Sequence, residues 1–333
     1  MRDGMSFAAF LTNPATRFTR RLIFALLWLA LLDPFVPPLL HRLEQQRYEG
    51  RSTFRFASSD LFGLGPFVSY LRDHPRGDGR RVVFFGNSMM FAYALESDES
   101  IPGQYERQQS GVRAFNAAIN GETLATNYLI AKSIIGSVDV MYVQIAGDAA
   151  NPMLPALIPV DEADARLFGI TGPDPFERRL QTIAGRTWRL YASNARLQAA
   201  MFGTSTRNFL YRRIRDLTSP PPAHTWLDSG KPITLRVPRL SAVPSRSTRQ
   251  QLLLRDFAEL ARSHQKRIVF LVFEHPGRHV DDSRFAALNA AYAPYAEVIV
   301  ITIPPGRTYD GFHLMPAGCR DVAAALLQHE RQR

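Results

Sequence analysis

The chain has 333 residues, 46% apolar and 21% charged, which suits one large domain or two small ones and excludes wholesale disorder. One cysteine, Cys319, excludes an intrachain disulfide framework and any multi-cysteine zinc or iron–sulfur site, and within a helical stretch it reads as a small core residue. Forty basic against 30 acidic residues give a formal charge of +10, which favours anionic neighbours such as phospholipid head groups or acidic glycans; no recognition motif accompanies it, so nucleic acid is not expected as a partner.

Arg17, Arg20 and Arg21 precede an uncharged apolar run from Leu22 to Leu32; Asp33 interrupts it, and Pro34 to Leu40 is apolar again. As a helix, those 19 residues would reach ~28 Å, near what a bilayer requires. The pattern predicts a signal-anchor, residues 1–42, with its arginines on the cytoplasmic side and everything after it extracytoplasmic. A cleaved signal peptide is the alternative, without an A-x-A-like site to support it, and a buried or interfacial helix is the third reading. No second apolar run of 18 or more residues follows, so one span is the maximum.

Residues 43–80 are polar with scattered aromatics and read as a juxtamembrane connector with a helix around Leu61 to Leu71. From residue 81 the pattern changes. Short apolar β-type runs at Arg81–Phe85, Met141–Ile145, Arg267–Phe273 and Glu297–Ile301 alternate with helical stretches at Gly103–Gln109, Ala125–Ile135, Arg249–His264, Ser283–Tyr292 and Ala317–Gln328. That alternation predicts an α/β domain over 81–330, a three-layer α/β/α sandwich on a mostly parallel sheet. Residues 152–248 break the rhythm. They hold Pro220 to Pro222 and, from Phe176 to Asp216, nine arginines against two acids. They read as a basic helical insertion, either a cap with a solvated arginine face or a surface for a membrane, a glycan or a partner.

In a parallel sheet, ligands gather at the carboxyl ends of the strands. The residues there are Gly86-Asn87-Ser88 after the first run, Gly147-Asp148 and Asn151 after the second, Glu274-His275-Pro276 after the third, and Asp310-Gly311-Phe312-His313 after the last. A serine on a tight glycine turn into a helix exposes its hydroxyl and leaves backbone N–H groups for an oxyanion. It needs a base and a group to orient that base. Asp310 and His313, three residues apart, supply both from one segment. The loop Glu274 to His279 is placed to rim the same site through His275. No acid–histidine spacing matches a zinc motif, so neither a metal nor a cofactor is expected.

These blocks resemble the SGNH (GDSL-type) hydrolase superfamily. Its first block, glycine–aspartate–serine after the first strand, is matched by Gly86-Asn87-Ser88, with Asn87 in place of the aspartate. Its second block is a glycine in an asparagine-rich stretch, matched by Asn116-Ala117-Ala118-Ile119-Asn120-Gly121. Its last block, aspartate and histidine three apart followed by leucine and then glycine, is matched by Asp310, His313, Leu314 and Gly318. The third block departs. The family has glycine, any residue, asparagine, aspartate; this chain has Gly147-Asp148-Ala149-Ala150-Asn151.

The resemblance covers about 81–150 and 250–330, and implies Ser88, Asp310 and His313 as catalytic residues. It implies an oxyanion hole from Ser88, Gly121 and Asn151, with Asn120 as the alternative side-chain donor. Asn87, Asn120, Gly147 and His275 are the substrate-binding candidates. An anchor before such a domain is similar to bacterial envelope proteins of polysaccharide O-acetylation, of the alginate acetylation type, and to DltD-type proteins. That likeness implies a serine O-acyltransferase or esterase on a cell-envelope or exported polysaccharide, in the inner membrane with its domain in the periplasm, beside a multi-spanning membrane acyltransferase. The rival reading is a non-catalytic envelope scaffold that docks a glycan or an acyltransferase partner through its basic insertion.

Overall fold

The computed structural model describes residues 16–32, 35, 71–73, 79–92, 95–118, 124–145, 231–238 and 249–333. Helix α1 (Arg17–Leu32) comes first. Phe18, Leu22, Phe24, Leu26, Leu27, Trp28 and Leu31 are all exposed on it. Its 16 residues reach ~24 Å. Among the described residues no helix is long and apolar enough to cross a membrane. The expected span continued to Leu40, and residues 33, 34 and 36–40 lie outside the described ones, as do nearly all of the connector and most of the insertion.

The α/β part runs β1 (Arg80–Phe85), a single-turn α2 (Ser88–Phe91), α3 (Ile101–Gln108), β2 (Val112–Asn116), α4 (Leu124–Ile134), β3 (Val140–Ile145), β4 (Thr234–Arg236), α5 (Arg249–Ser263), β5 (Arg267–Glu274), α6 (Ser283–Tyr292), β6 (Ala296–Thr302) and α7 (Pro316–Arg331). The six strands form one sheet in the order β2-β1-β3-β5-β6-β4. Every neighbouring pair is parallel except β4 against β6.

The apolar runs are strands because both sides of each are covered. Val83 and Phe85 pack on one face with Met141, Val143, Leu254, Phe257 and Phe270. Val82 and Phe84 pack on the other with Tyr105, Tyr142, Ile299, Val322 and Leu326. Alternation along each strand therefore sends neighbouring side chains into two separate apolar layers, α4, α5 and α6 covering one and α3 and α7 the other. Cys319 is in no disulfide and is fully buried in the second layer, as a core residue would be.

Two strands differ from the sequence expectation. β2 carries Arg113 inside Val-Arg-Ala-Phe-Asn and sits at the sheet edge, so its apolar pattern is incomplete. β4 lies inside 152–248, which was read as helical. It is three residues long, and it holds its place by pairing with β6 rather than by an apolar run of its own.

The chain goes from β1 outward to β2, then returns across β1 to β3. The crevice where connections diverge therefore opens above the carboxyl end of β1. Ser88 stands there.

Candidate active site

Gly86 ends β1 and makes the turn. A Cβ on it would lie 2.6 Å from Gln144 Oε1, 2.7 Å from Gln144 Cβ and 2.8 Å from Met90 Cβ, so no larger residue fits. Asn87 caps α2, its Oδ1 accepting the Met89 N–H at 3.1 Å. Gln144 Oε1, reaching from β3, accepts the Asn87 N–H at 3.2 Å and the Met90 N–H at 3.3 Å. Three backbone donors of the turn are thereby occupied. The Ser88 N–H has no acceptor among the described residues and is left for an incoming oxygen. Asn116, at the end of β2, ties the same turn to the second block, its Nδ2 donating to Met90 O at 3.2 Å and its Oδ1 accepting the Ala118 N–H at 3.1 Å.

The other half of the site is a tight loop between β6 and α7. Thr308 bridges Leu314, and the Tyr309 N–H donates to His313 O at 3.0 Å. Gly311 takes the left-handed turn at φ +82°. Asp310 Oδ1 accepts the Phe312 and His313 N–H groups at 2.9 and 2.7 Å. Gly318 lets α7 press against the loop; a Cβ there would meet Arg307 O at 2.9 Å.

Asp310 Oδ2 lies 2.5 Å from His313 Nδ1, and His313 Nε2 lies 2.8 Å from Ser88 Oγ. A carboxylate accepts, so Nδ1 carries the proton and donates; in the neutral ring Nε2 then accepts the Ser88 hydroxyl proton. Burial pushes the Asp310 carboxyl up, but the hydrogen bonds it accepts from the His313 ring, the His313 N–H and the Phe312 N–H outweigh that, and it stays below the ordinary aspartate value. The His313 ring stacks on Tyr309 at 5.5 Å between centroids and meets Phe312 edge-on at 5.1 Å. Two aromatic rings therefore pack against the imidazole.

Glu274, the last residue of β5, accepts from Arg236 Nη1 and Nη2 at 2.7 and 2.8 Å, from Thr302 Oγ1 at 2.9 Å and from the Val280 N–H at 2.8 Å. The Arg236 hydrogen bond is the main cause of a carboxyl held down to about 2. Arg236 also donates to Asp282 at 3.1 Å. This clasp ties Arg236 of β4 to the carboxyl ends of β5 and β6 and fixes the loop that begins with His275. His275 is buried, and its ring stacks on Phe312 at 4.7 Å between centroids.

Ser88, Asp310 and His313 thus stand within hydrogen-bond reach in series, with Asn87 under the serine and His275 one ring away from the histidine. Asn120, Gly121, Gly147 and Asn151 lie outside the described residues. Gln144 escaped the sequence reading. Its signal was there, since a glutamine inside the apolar run Met-Tyr-Val-Gln-Ile must find partners when buried. Gln144→Leu leaves two donors of the turn unpaired, at ~1–3 kcal/mol each, and slows modification of Ser88 by a serine-directed phosphonate. Gln144→Glu restores an acceptor and most of both properties. Denaturant melts and labelling rates of the two variants check this.

No family model matches the chain, and no curated protein matches it in sequence. A crystal structure of TesA is similar in structure, at 12% identity and a TM-score of 0.37, over 75% of this chain and 97% of that one.

Proposed function

We propose that the protein is a serine acyl-ester enzyme of the SGNH type, a hydrolase or O-acyltransferase whose nucleophile is Ser88. The observation that carries this reading is the unbroken series Asp310–His313–Ser88, with steps of 2.5 and 2.8 Å, beside a Ser88 N–H without an acceptor among the described residues. Ser88 Oγ attacks the ester carbonyl carbon as its proton passes to His313 Nε2. The carbonyl oxygen, now negative, takes the Ser88 N–H, with Gly121 and Asn151 as the further donors that the resemblance implies. The C–O bond to the alcohol breaks as His313 returns the proton to the leaving oxygen, and the acyl group stays on Ser88. Water, or a hydroxyl of an acceptor, then gives its proton to His313 and resolves the acyl-enzyme by the same steps in reverse. Asp310 keeps the imidazole in the accepting tautomer and offsets the charge of the imidazolium.

The acyl acceptor in this reading is a cell-envelope or exported polysaccharide, and a multi-spanning membrane acyltransferase is the donor partner. Helix α1 is the anchor. In support, it exposes large apolar side chains along its length and carries Arg17, Arg20 and Arg21 at its start.

A fluorophosphonate probe tests the central step on the full chain in detergent. Wild type labels at one serine; Ser88→Ala and His313→Ala do not. A folded wild type that resists labelling, alone and with a membrane acyltransferase partner, turns the reading toward a non-catalytic scaffold.

A further inference from the structure

The loop that carries Asp310 and His313 is a finger with a stem of backbone bonds. The Met315 N–H donates to Arg307 O at 3.0 Å, Thr308 bridges Leu314, and the Tyr309 N–H donates to His313 O at 3.0 Å. Within it, Asp310 holds the Phe312 and His313 N–H groups and the His313 ring. All of these bonds shape the finger itself. Ser88 stands on a different element, after β1, so the 2.8 Å step from His313 Nε2 to Ser88 Oγ also depends on where the finger's base is set. Arg307 is at that base. The turn Pro304-Pro305-Gly306-Arg307, with Gly306 at φ +84° and the Arg307 N–H on Pro304 O at 3.4 Å, brings it there from the end of β6. Its guanidinium then reaches two other elements. Nη2 lies 2.9 Å from Asp321 Oδ2 on α7, and Nε donates to Lys231 O, just before β4, at 3.0 Å. Ile233, two residues on, is buried in the same apolar layer as Leu314. With 11% of the arginine side chain exposed, this is a gripped group and not a surface ion pair that swings in water.

We infer that Arg307 is a positioning residue of the proposed reaction, holding the finger where His313 Nε2 meets Ser88 Oγ; this rests on the acyl-ester reading. A guanidinium suits the task because it is planar and donates along fixed directions, so two bonds at once leave its stem little freedom. One bond sets the base of the finger against α7, the other against the segment leading into β4. Both are independent of the Asp310–His313 pair, whose members are three residues apart and keep each other in place. Loss of the arginine side chain therefore shifts the finger as a body. The Asp310–His313 bond travels with it, and the His313–Ser88 contact is the one that opens. Proton transfer is sensitive to that gap, since a misplacement of about 1 Å costs about 10²-fold. Arg307 acts through His313 and takes no part in the transfer itself.

The test is made on the full chain in detergent, below the melting transition of each variant. Arg307→Met keeps an unbranched apolar stem and removes every side-chain donor. It slows fluorophosphonate labelling of Ser88 by about 10- to 100-fold. Arg307→Lys keeps a charge for Asp321 but cannot donate along two fixed directions, and it recovers part of the rate. The ring ¹⁵N shifts of His313 separate positioning from general damage. In Arg307→Met, Nδ1 stays protonated against Asp310, because that bond lies within the finger. The Nε2 resonance moves toward its position in Ser88→Ala, where the serine hydroxyl is gone. A folded Arg307→Met that labels within about twofold of wild type overturns the inference. So does a slow variant whose Nδ1 signal has changed as well, the mark of a finger that has come apart. Asp321→Ala removes one of the two holds and serves where Arg307→Met does not fold; slowed labelling with the same pattern of shifts supports the inference, and an unchanged rate overturns it. A wild type that does not label at all overturns the acyl-ester reading. The Nε2 shift then decides alone: it moves in Arg307→Met if the arginine sets the His313–Ser88 contact, and an unmoved resonance overturns that role.

Discussion

Asp310→Asn lowers kcat/KM for a small acetate ester by about 10⁴-fold while the melting temperature stays near that of wild type. The asymmetry comes from what the two carboxylate oxygens do. Oδ1 accepts the Phe312 and His313 N–H groups, and Oδ2 faces His313 Nδ1. Asparagine keeps an oxygen for the two backbone donors, so the loop retains its turn. Its NH₂ then faces Nδ1 and forces that nitrogen to accept. The ring proton moves to Nε2, which points at Ser88 Oγ and can no longer take the hydroxyl proton. Flipping the amide does not escape this, because the NH₂ would then meet two backbone N–H groups. Three measurements check the argument: turnover, the rate of fluorophosphonate labelling, and the ¹⁵N shifts of His313, which report the tautomer. A loss below tenfold with the tautomer switched would remove Asp310 from the mechanism.

The sequence carried the parts of this molecule whose causes are local. Arg81 to Phe85, Met141 to Ile145, Arg267 to Phe273 and Glu297 to Ile301 read as strands because burial on both faces demands a mostly apolar run. β2 and β4 lacked that demand. One is an edge strand with Arg113 in it, and the other is three residues held by pairing with β6. Ser88 was legible from a glycine turn, and Asp310 with His313 from a three-residue spacing that closes on itself through the loop backbone. Gln144 and Arg236 were not, because their work depends on partners 38 to 66 residues away along the chain. A side chain that braces a distant backbone leaves no spacing to read. What it leaves is a polar residue in an apolar setting, and Gln144, Glu274 and His275 all carry that mark.

A second carboxylate joins distant elements at the opposite pole of the sheet, near the amino ends of the strands. Glu330, in the last turn of α7, accepts from Tyr142 Oη at 2.5 Å, Tyr105 Oη at 2.8 Å and Arg80 Nη1 at 2.8 Å, with Arg267 Nη1 at 3.5 Å. Tyr105 and Tyr142 pack against each other and against Phe84 in the interior. One carboxylate thus joins α7 to β1, α3, β3 and β5. Glu330→Ala leaves two buried hydroxyls and a half-buried guanidinium without it, at a cost of about 3–5 kcal/mol. The expected fall in melting temperature is roughly 10 °C.

Acid reproduces part of this in the wild type. Burial pushes the Glu330 carboxyl up, but Arg80 and the two tyrosine hydroxyls more than offset it, and its value in the fold lies below the ordinary one of 4.5. Its contribution is therefore complete above the unfolded value and is lost as pH falls through the folded one. The gap in stability between wild type and Glu330→Ala closes as pH drops below 4.5 and is unchanged above it. Below its own melting transition the variant still labels at Ser88, because α7 meets the loop of Asp310 and His313 at its other end, where Gly318 packs on Arg307 O and Leu314. Thermal melts at several pH values, with labelling at low temperature, separate this support of the fold from the chemistry at Ser88. A gap that persists into acid would assign the loss to packing of the glutamate side chain rather than to its charge.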